Sequence, residues 1–398
     1  MSGLETAVAR EVLGERLGTV TWIGHREVRF IGSAAGSTGL RTADDAFLLA
    51  ATMPDIGRGR DALGALARLA GQVAGIDAAG HAGVEVSASF LGRRNFSRYD
   101  AEDAAGAALA VRLGVPYHSR RDGTPPPPGY GAWRLTLDGT DATLMLRVAP
   151  RPLHRRAYKR HTVPGTLHPP VAAAMARLAD IRPGDVVADP CCGAGTLLIE
   201  AARLQPDAVP RGYDLDPTAL HAARANASAA GLGGPTSKHA PRGYTPPPTN
   251  TPAAALSEPT FEHPGAATLP RGHTPDPTAP RPYDPAAILS GPIFESADAA
   301  ALPLPDGGVD RLLANPPWGG QVAPRGRLAR APSALWPEIR RLLRPDGRAV
   351  VLIPDTAELA AAIAHGLLPA HVQHVSLSGA HPHIAVLIPA PRRPGARR

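Results

Sequence analysis

From His168 onward, short apolar runs alternate with stretches of helical period, and this alternation constrains the fold of the chain more than any other feature. A helix over Pro170–Ala179 ends at the turn Pro183-Gly184-Asp185, and the apolar strand Val186–Ala188 then delivers Asp189 at its carboxyl end. The helix Thr196–Leu204 follows, then a second strand ending in Asp214 and a helix over Thr218–Ala230. Farther on come strands Ile293–Ser296 and Val309–Ala314, helix Ser333–Leu343, strand Ala349–Ile353 and helix Thr356–Leu367. The pair Val372–Ser376 and His383–Pro389 closes the series. Strand and helix in this order predict an α/β domain with a mostly parallel, doubly wound, Rossmann-like sheet. Ligands of such sheets bind outside the carboxyl ends of the strands.

One stretch breaks the pattern. Residues 231–292 hold 15 of the chain's 45 prolines, interleaved with Thr, Gly, Ala and His, and show no hydrophobic period. Such composition buries too little apolar area to offset the entropy of ordering it, so a disordered insertion is expected there. It interrupts the α/β domain between the second-strand helix and the third strand.

The first half has a different texture. Leu4, Val8, Val12 and Leu13 fall at helical spacing, and strands follow at Thr19–Ile23 and Val28–Ile31. Asp44–Ala51 and Asp61–Ala74 read as helices, Val84–Phe90 as an alternating strand, and Ala101–Leu113 as a helix. Trp133–Leu137 and Ala142–Val148 read as strands joined by the Asp138-Gly139 turn. This is the pattern of small α+β domains of binding type.

A formal net charge of +7 and a pI near 9.9 favour a polyanionic partner. Basic residues cluster twice: Arg93, Arg94, Asn95, Phe96, Arg98 and Tyr99 after the Val84–Phe90 strand, and the run Arg151–His161. Arg and Lys hold phosphates and interleaved rings stack on bases, which makes Arg93, Arg94, Arg155, Arg156, Lys159 and Arg160 candidates for RNA binding. A solvated linker would account for the charge run equally well. The two cysteines, Cys191 and Cys192, are adjacent and form neither a disulfide framework nor a four-ligand zinc site. No metal is expected. No apolar run approaches the ~20 residues of a bilayer span, so a cytoplasmic protein without a membrane partner is expected. The sequence leaves the oligomeric state open.

Three segments at strand ends carry chemistry. In Asp189-Pro190-Cys191-Cys192-Gly193-Ala194-Gly195-Thr196, two glycines remove side chains where a ligand needs backbone contact, beside the free N–H groups of a helix start. Tight strand-to-helix turns also use glycine for steric reasons alone. In Gly212-Tyr213-Asp214-Leu215-Asp216-Pro217, Asp214 is placed to accept ribose hydroxyls, and Asp216 reads as the cap of the next helix. In Asn315-Pro316-Pro317-Trp318, two prolines fix a rigid turn, which presents an amide and a flat ring to a planar substrate. Asp298, after the third strand, could accept a hydrogen bond from an adenine amine or serve as a helix cap.

In this order and on these strand ends, the segments resemble class I S-adenosylmethionine-dependent methyltransferases. The branch is the one whose (Asn/Asp)-Pro-Pro-(Tyr/Phe/Trp) motif serves methylation of amino groups on planar substrates. The resemblance implies S-adenosyl-L-methionine as cofactor. Asp189, Cys191, Gly193, Gly195 and Thr196 would lie around its methionine part, Asp214 at its ribose and Asp298 at its adenine. Asn315, Pro316, Pro317 and Trp318 would hold the target base. The segments GLETAVAREV, VEVSASFLGRRNFSRYD and LRVAPRPLHRRAYKR with GTLHPPVAAAM are similar to the THUMP-containing RNA guanine-N2 methyltransferases. That likeness implies a ferredoxin-like domain over 1–80, a THUMP-like RNA-binding region over 81–150, a basic linker over 151–167 and the catalytic domain over 168–398. It also implies methylation of the N2 amine of a guanine, with tRNA the favoured RNA. Trp318 stands where relatives usually have Tyr, which keeps stacking and loses the hydroxyl. Ribosomal RNA, DNA amino-methylation at adenine N6, and a non-catalytic RNA-binding role are the alternatives.

Overall fold

The computed structural model describes residues 2–76, 80–232, 291–320, 322–377 and 379–391. The insertion expected at 231–292 lies outside the described residues except for its two residues at each end. Those ends adjoin: a Cβ built on Gly291 would fall on the carbonyl of Leu232.

The chain opens with α1 (Glu5–Gly14) and the antiparallel pair β1 (Gly18–Gly24) and β2 (Glu27–Gly32), then a short α2 (Ala34–Ser37). A five-stranded sheet follows, in the order β3 (Phe47–Pro54), β7 (Asp141–Arg147), β6 (Tyr130–Leu137), β4 (Gly83–Phe90), β5 (Tyr117–His118). Helices α3 (Ala65–Gly71) and α4 (Arg98–Leu113) pack on it around Leu66, Leu109 and Trp133, all fully buried. The start of α4 is written locally. Ser97 accepts from the Asp100 N–H and the Asp100 carboxylate accepts from the Ser97 N–H, a capping box.

Three expectations are corrected here. Asp44–Ala51 is not a helix, because Phe47–Pro54 pairs antiparallel with Asp141–Arg147. As an edge strand with a bulge between Leu49 and Ala51, it leaves Leu48 and Leu49 exposed and shows no clean alternation. Because β3 joins a sheet whose other strands lie beyond residue 80, that sheet crosses the boundary expected there. The helix expected over Asp61–Ala74 is a 3-10 turn, Arg60–Gly64, followed by the shorter α3.

The second half is a seven-stranded sheet flanked by helices: α5 (Pro169–Leu178), β8 (Val186–Asp189), α6 (Thr196–Leu204), β9 (Val209–Asp214), α7 (Pro217–Ala229), β10 (Ile293–Ser296), β11 (Val309–Ala314), α8 (Leu335–Leu342), β12 (Leu343–Ile353), α9 (Thr356–Ala364), β13 (Leu367–His374) and β14 (His383–Pro389). Its order is β10-β9-β8-β11-β12-β14-β13. The first four pairings are parallel, and β14 runs antiparallel to both its neighbours. Alternate residues of β8 face opposite cores, Val187 toward α5 and α6, Ala188 toward α8. The order reverses between β8 and β11, which opens the crevice where Asp189 and Asn315 emerge. Among the described residues, no helix is long and apolar enough to cross a membrane.

Polar contacts bind the halves together. Glu200 on α6 is 1% exposed and accepts from Arg41 at 2.6 and 2.8 Å, from Arg156 at 3.2 Å and from the Tyr158 hydroxyl at 2.8 Å. Burial, reinforced by the adjacent carboxylate, pushes the Tyr158 phenol above its ordinary range. Buried Glu11 on α1 accepts from the backbone N–H groups of Arg41 and Thr42 and from Arg177 on α5.

Candidate active site

The carboxyl ends of β8, β9, β11 and β12 open on a cavity of about 720 Å³, lined by all three strand-end segments and by residues 163–168 of the connection between the halves. Volumes of roughly 300–1,000 Å³ accommodate cofactor-sized ligands.

Asp189 is 1% exposed and accepts from the Cys191 N–H at 3.0 Å. Burial pushes its carboxyl up to about 8. Burial likewise holds both cysteines well above the ordinary thiol range, so neither is a thiolate nucleophile at neutral pH. Asp214 accepts from the Gly193 N–H through one oxygen and from the Asp216 N–H through the other, both at 2.9 Å. A carboxylate has about four acceptor positions, so both oxygens keep capacity for a ligand's hydroxyls. Asp216 caps α7, accepting from the Thr218 N–H at 2.8 Å, as its position before Pro217 implies.

The two glycines of the first loop do different things. Gly193 (φ +52) lines the cavity, and the nearest atom to a Cβ built there is 3.9 Å away. Gly195 (φ +79) does not line it. A Cβ there would press on Ala223 and Phe294 at 3.1 Å, so this glycine answers to packing. Just beyond, α6 begins without a side-chain cap, and the buried Thr196 Oγ1 has no hydrogen-bond partner among the described residues. An uncapped helix start with an orphaned hydroxyl, beside open space at Gly193, fits the anionic end of an amino-acid-bearing cofactor.

Asp298 departs from expectation. It does not line the cavity, and its oxygens accept from the N–H groups of Ala300 at 3.0 Å and Arg327 at 2.8 Å. Its carboxylate thus fastens the turn at Gly326 (φ +59). The flanking residues Ala297 and Ala299 line the cavity instead, with Leu215 and Leu328.

At the other end, the Asn315 side-chain nitrogen donates to the Gly165 carbonyl at 3.1 Å. With the nitrogen so engaged, the amide oxygen is the end left to accept from a ligand, on a residue that lines the cavity with Pro316, Pro317 and Trp318. The Trp318 indole N–H donates to the Leu352 carbonyl at 2.9 Å, and the ring stacks on fully buried Trp336 at 6.0 Å and 25°. One face is therefore backed by Trp336 and the other remains for a planar ligand.

Two residues that hold this wall carry no local signal in the sequence. Gly165 lies 150 residues from Asn315. Asn226, fully buried on α7, accepts from the N–H groups of Arg160 and His161 and donates to the carbonyls of His161 and Ala194. It thereby clamps the connection between the halves to the glycine loop.

The basic candidates separate in the same way. Arg93, Arg155 and Arg160 are exposed. Arg94 is not available to RNA, being 3% exposed in its side chain and paired with Asp55 at 2.5 and 2.7 Å. That pair holds the Asp55 carboxyl down at about 2. Arg156 is 7% exposed and belongs to the Glu200 cluster. Lys159 lines the cavity and donates to the Leu167 carbonyl at 3.1 Å, and burial lowers its ammonium.

Counted within the catalytic half, the strand order reads 3-2-1-4-5-7-6, and with a glycine loop after the first strand and an acid ending the second it defines a class I methyltransferase. The family model described as UPF0020, RMKL-like, methyltransferase domain matches residues 156–240 and 285–382. A tRNA (guanine(6)-N2)-methyltransferase of Thermus thermophilus is 30% identical over 331 residues, 82% of this chain and 78% of the relative. The chain belongs to the THUMP-containing, S-adenosylmethionine-dependent RNA (guanine-N2) methyltransferase family. The crystal structure of TrmN from Thermus thermophilus superposes with a TM-score of 0.67 at 29% identity, covering 98% of this chain and 97% of that one. A shorter match, 44% identical over 81 residues, is to the bovine U6 snRNA (guanine-N(2))-methyltransferase THUMPD2, of which it covers 16% and of this chain 20%. SMU.472 complexed with SAH shares the fold at 15% identity, with a TM-score of 0.63 over 98% of this chain and 97% of that one.

Proposed function

We propose that this protein methylates the exocyclic N2 amine of a guanine in tRNA, with S-adenosylmethionine as donor. The observation that carries this reading is the orientation of Asn315 by Gly165, which leaves an amide oxygen beside a backed aromatic face. The guanine amine is a poor nucleophile because its lone pair is delocalised into the ring. The Asn315 oxygen and the Pro316 carbonyl accept its two N–H bonds, which turns the lone pair out of conjugation and aims it along the transfer line. The cofactor, when bound, supplies a methyl group on a positively charged sulfur. Carbonyl dipoles at Asn315 and Pro316 stabilise the charge that develops on nitrogen, and the methylated amine then releases one proton to water. Trp318 stacks on the base, which has to be presented unpaired or flipped out.

On the cofactor side, the N–H groups at the start of α6 and Gly193 receive the methionine part, Asp214 receives the ribose hydroxyls, and Leu215, Ala297, Ala299 and Leu328 enclose the adenine. Exposed Arg93, Arg155 and Arg160 follow the phosphate backbone. This reading has the protein act in the cytoplasm.

The test is methyl transfer from labelled S-adenosylmethionine to tRNA, ribosomal RNA and duplex DNA in parallel, with mass spectrometry of the digested nucleosides. N2-methylguanosine in tRNA is the expected product. N6-methyladenosine, or product in DNA alone, would replace this reading with the DNA alternative.

A further inference from the structure

We infer that Asp44, His154 and His168 form a binding site for a divalent transition-metal ion of the zinc class, joining the N-terminal half to the catalytic domain. The three residues come from separate parts of the fold: the segment before β3, the connection after β7, and the residue preceding α5. One ligand atom from each lies within 4.8 Å of the other two. The two imidazoles stack at 5.2 Å and 28°, and His168 Nε2 lies 3.5 Å from the Asp44 carboxylate.

The surroundings add a second, independent observation. His154 Nδ1 lies 3.1 Å from the Asp44 backbone carbonyl, which can only accept. The proton is therefore on Nδ1, and the Nε2 lone pair is directed elsewhere. Ring nitrogens opposite a metal ligand are held in this way, by a carbonyl or carboxylate that fixes the tautomer. His168 Nδ1 is buried and has no hydrogen-bond partner among the described residues. A buried imidazole nitrogen left so is accounted for by an ion or a water. Two imidazoles and one carboxylate make a set of neutral and hard donors without thiolate. This suits zinc, and leaves a fourth, open position for water.

His168 also lines the cavity, so the ion would sit where the RNA-facing half meets the target-base wall. Its place is structural: it ties the segment before β3 to the start of α5, beside the Glu200 cluster.

The experiment uses the full chain, stripped with a chelator and titrated with Zn²⁺ by calorimetry, and with Co²⁺ followed by its visible ligand-field bands. One equivalent is expected to bind, and saturating Zn²⁺ to raise Tm by about 5 °C. His154→Ala and His168→Ala should each weaken binding by about 10-fold or more and abolish the Tm shift. His374→Ala, in the separate histidine group with His381 and His383, should leave both unchanged. Absence of saturable binding overturns the site, as does binding that survives both substitutions or is lost with His374→Ala. Circular dichroism of the stripped variants, matched to the stripped parent, separates loss of metal from loss of fold.

Discussion

Asn315 and Gly165 are joined by one hydrogen bond across the cavity wall, from the side-chain amide to a backbone carbonyl at 3.1 Å. That bond decides which end of the amide meets the target amine. Asn315→Ala should lower kcat by about 100-fold to 1,000-fold, the cost of removing one preorganised acceptor. Cofactor affinity by calorimetry should stay within about two-fold, because the glycine loop and Asp214 are untouched. Gly165→Ala is a subtler version: the residue has φ +74, and a Cβ there would meet Val322 at 2.6 Å. It should reduce kcat without altering any side chain that touches substrate. An Asn315→Ala protein that binds cofactor and methylates at full rate would remove Asn315 from this role.

Neighbouring arginines should behave oppositely. Arg156→Ala leaves the buried Glu200 carboxylate with Arg41 and Tyr158 but one fewer partner, and should destabilise the protein by about 1–3 kcal/mol in urea unfolding. Arg155→Ala, on the surface, should leave stability within about 0.5 kcal/mol. It should instead weaken tRNA binding and reduce the slope of log K against log salt by about one. Equal salt slopes for Arg155→Ala and the parent would take this residue off the RNA path.

What the sequence made legible follows from the range of the interactions involved. The strand-end segments are local: a glycine, an acid or a proline pair acts within a few residues, so Asp214, Asn315 and Trp318 fall where the motif spacing puts them, on the cavity. Partners from distant segments are not written locally. Nothing near Asn315 names Gly165, and nothing near Arg94 or Arg156 names Asp55 or Glu200. Two adjacent arginines in an irregular segment point in different directions, and composition does not tell which one is buried. The edge strand β3 failed to read as a strand for a related reason. Its bulge and its exposed Leu48 and Leu49 remove the period of two that a half-buried strand shows.

The two loop glycines should separate by what each substitution disturbs. Gly195→Ala adds a methyl against Ala223 and Phe294 at a left-handed backbone, and should lower stability by about 1–3 kcal/mol. Gly193→Ala meets open space, so its main effect should be on cofactor affinity, beyond the roughly 1 kcal/mol of backbone strain. Paired thermal melts and calorimetric titrations distinguish them, and reversed effects would exchange their assignments.

Asp189 makes a prediction about pH. Its carboxyl is raised in the folded state to about 8 from an ordinary 3.8, so the native protein holds a proton there that the unfolded chain releases. The stabilisation is fully present below about pH 4 and is lost as pH rises, by about 1.4 kcal/mol per unit, until about pH 8. Asp189→Asn keeps an oxygen for the Cys191 N–H and cannot ionise. Relative to the parent, its stability should therefore rise steadily between pH 5 and 8, read as a difference in urea midpoints at matched m. Parallel curves across that window would mean that Asp189 is ionised in the fold.

The segment 233–290 can be tested by removal. Leu232 and Gly291 already adjoin, so a short Gly-Ser link can replace the intervening residues without moving α7 or β10. Described residues on either side of that segment line the cavity and make the Glu200 and Asn226 contacts. Loop-closure entropy favours the shortened chain: a roughly ten-fold reduction in length is worth about 2 kcal/mol if the segment behaves as a flexible loop. The excised protein should accordingly melt at or slightly above the parent temperature and bind cofactor with unchanged affinity. Its tRNA methylation should also be unchanged unless the segment contacts RNA, in which case KM rises while kcat holds. Loss of folding, or of cofactor binding, would show that residues 233–290 belong to the catalytic domain and do not merely interrupt it.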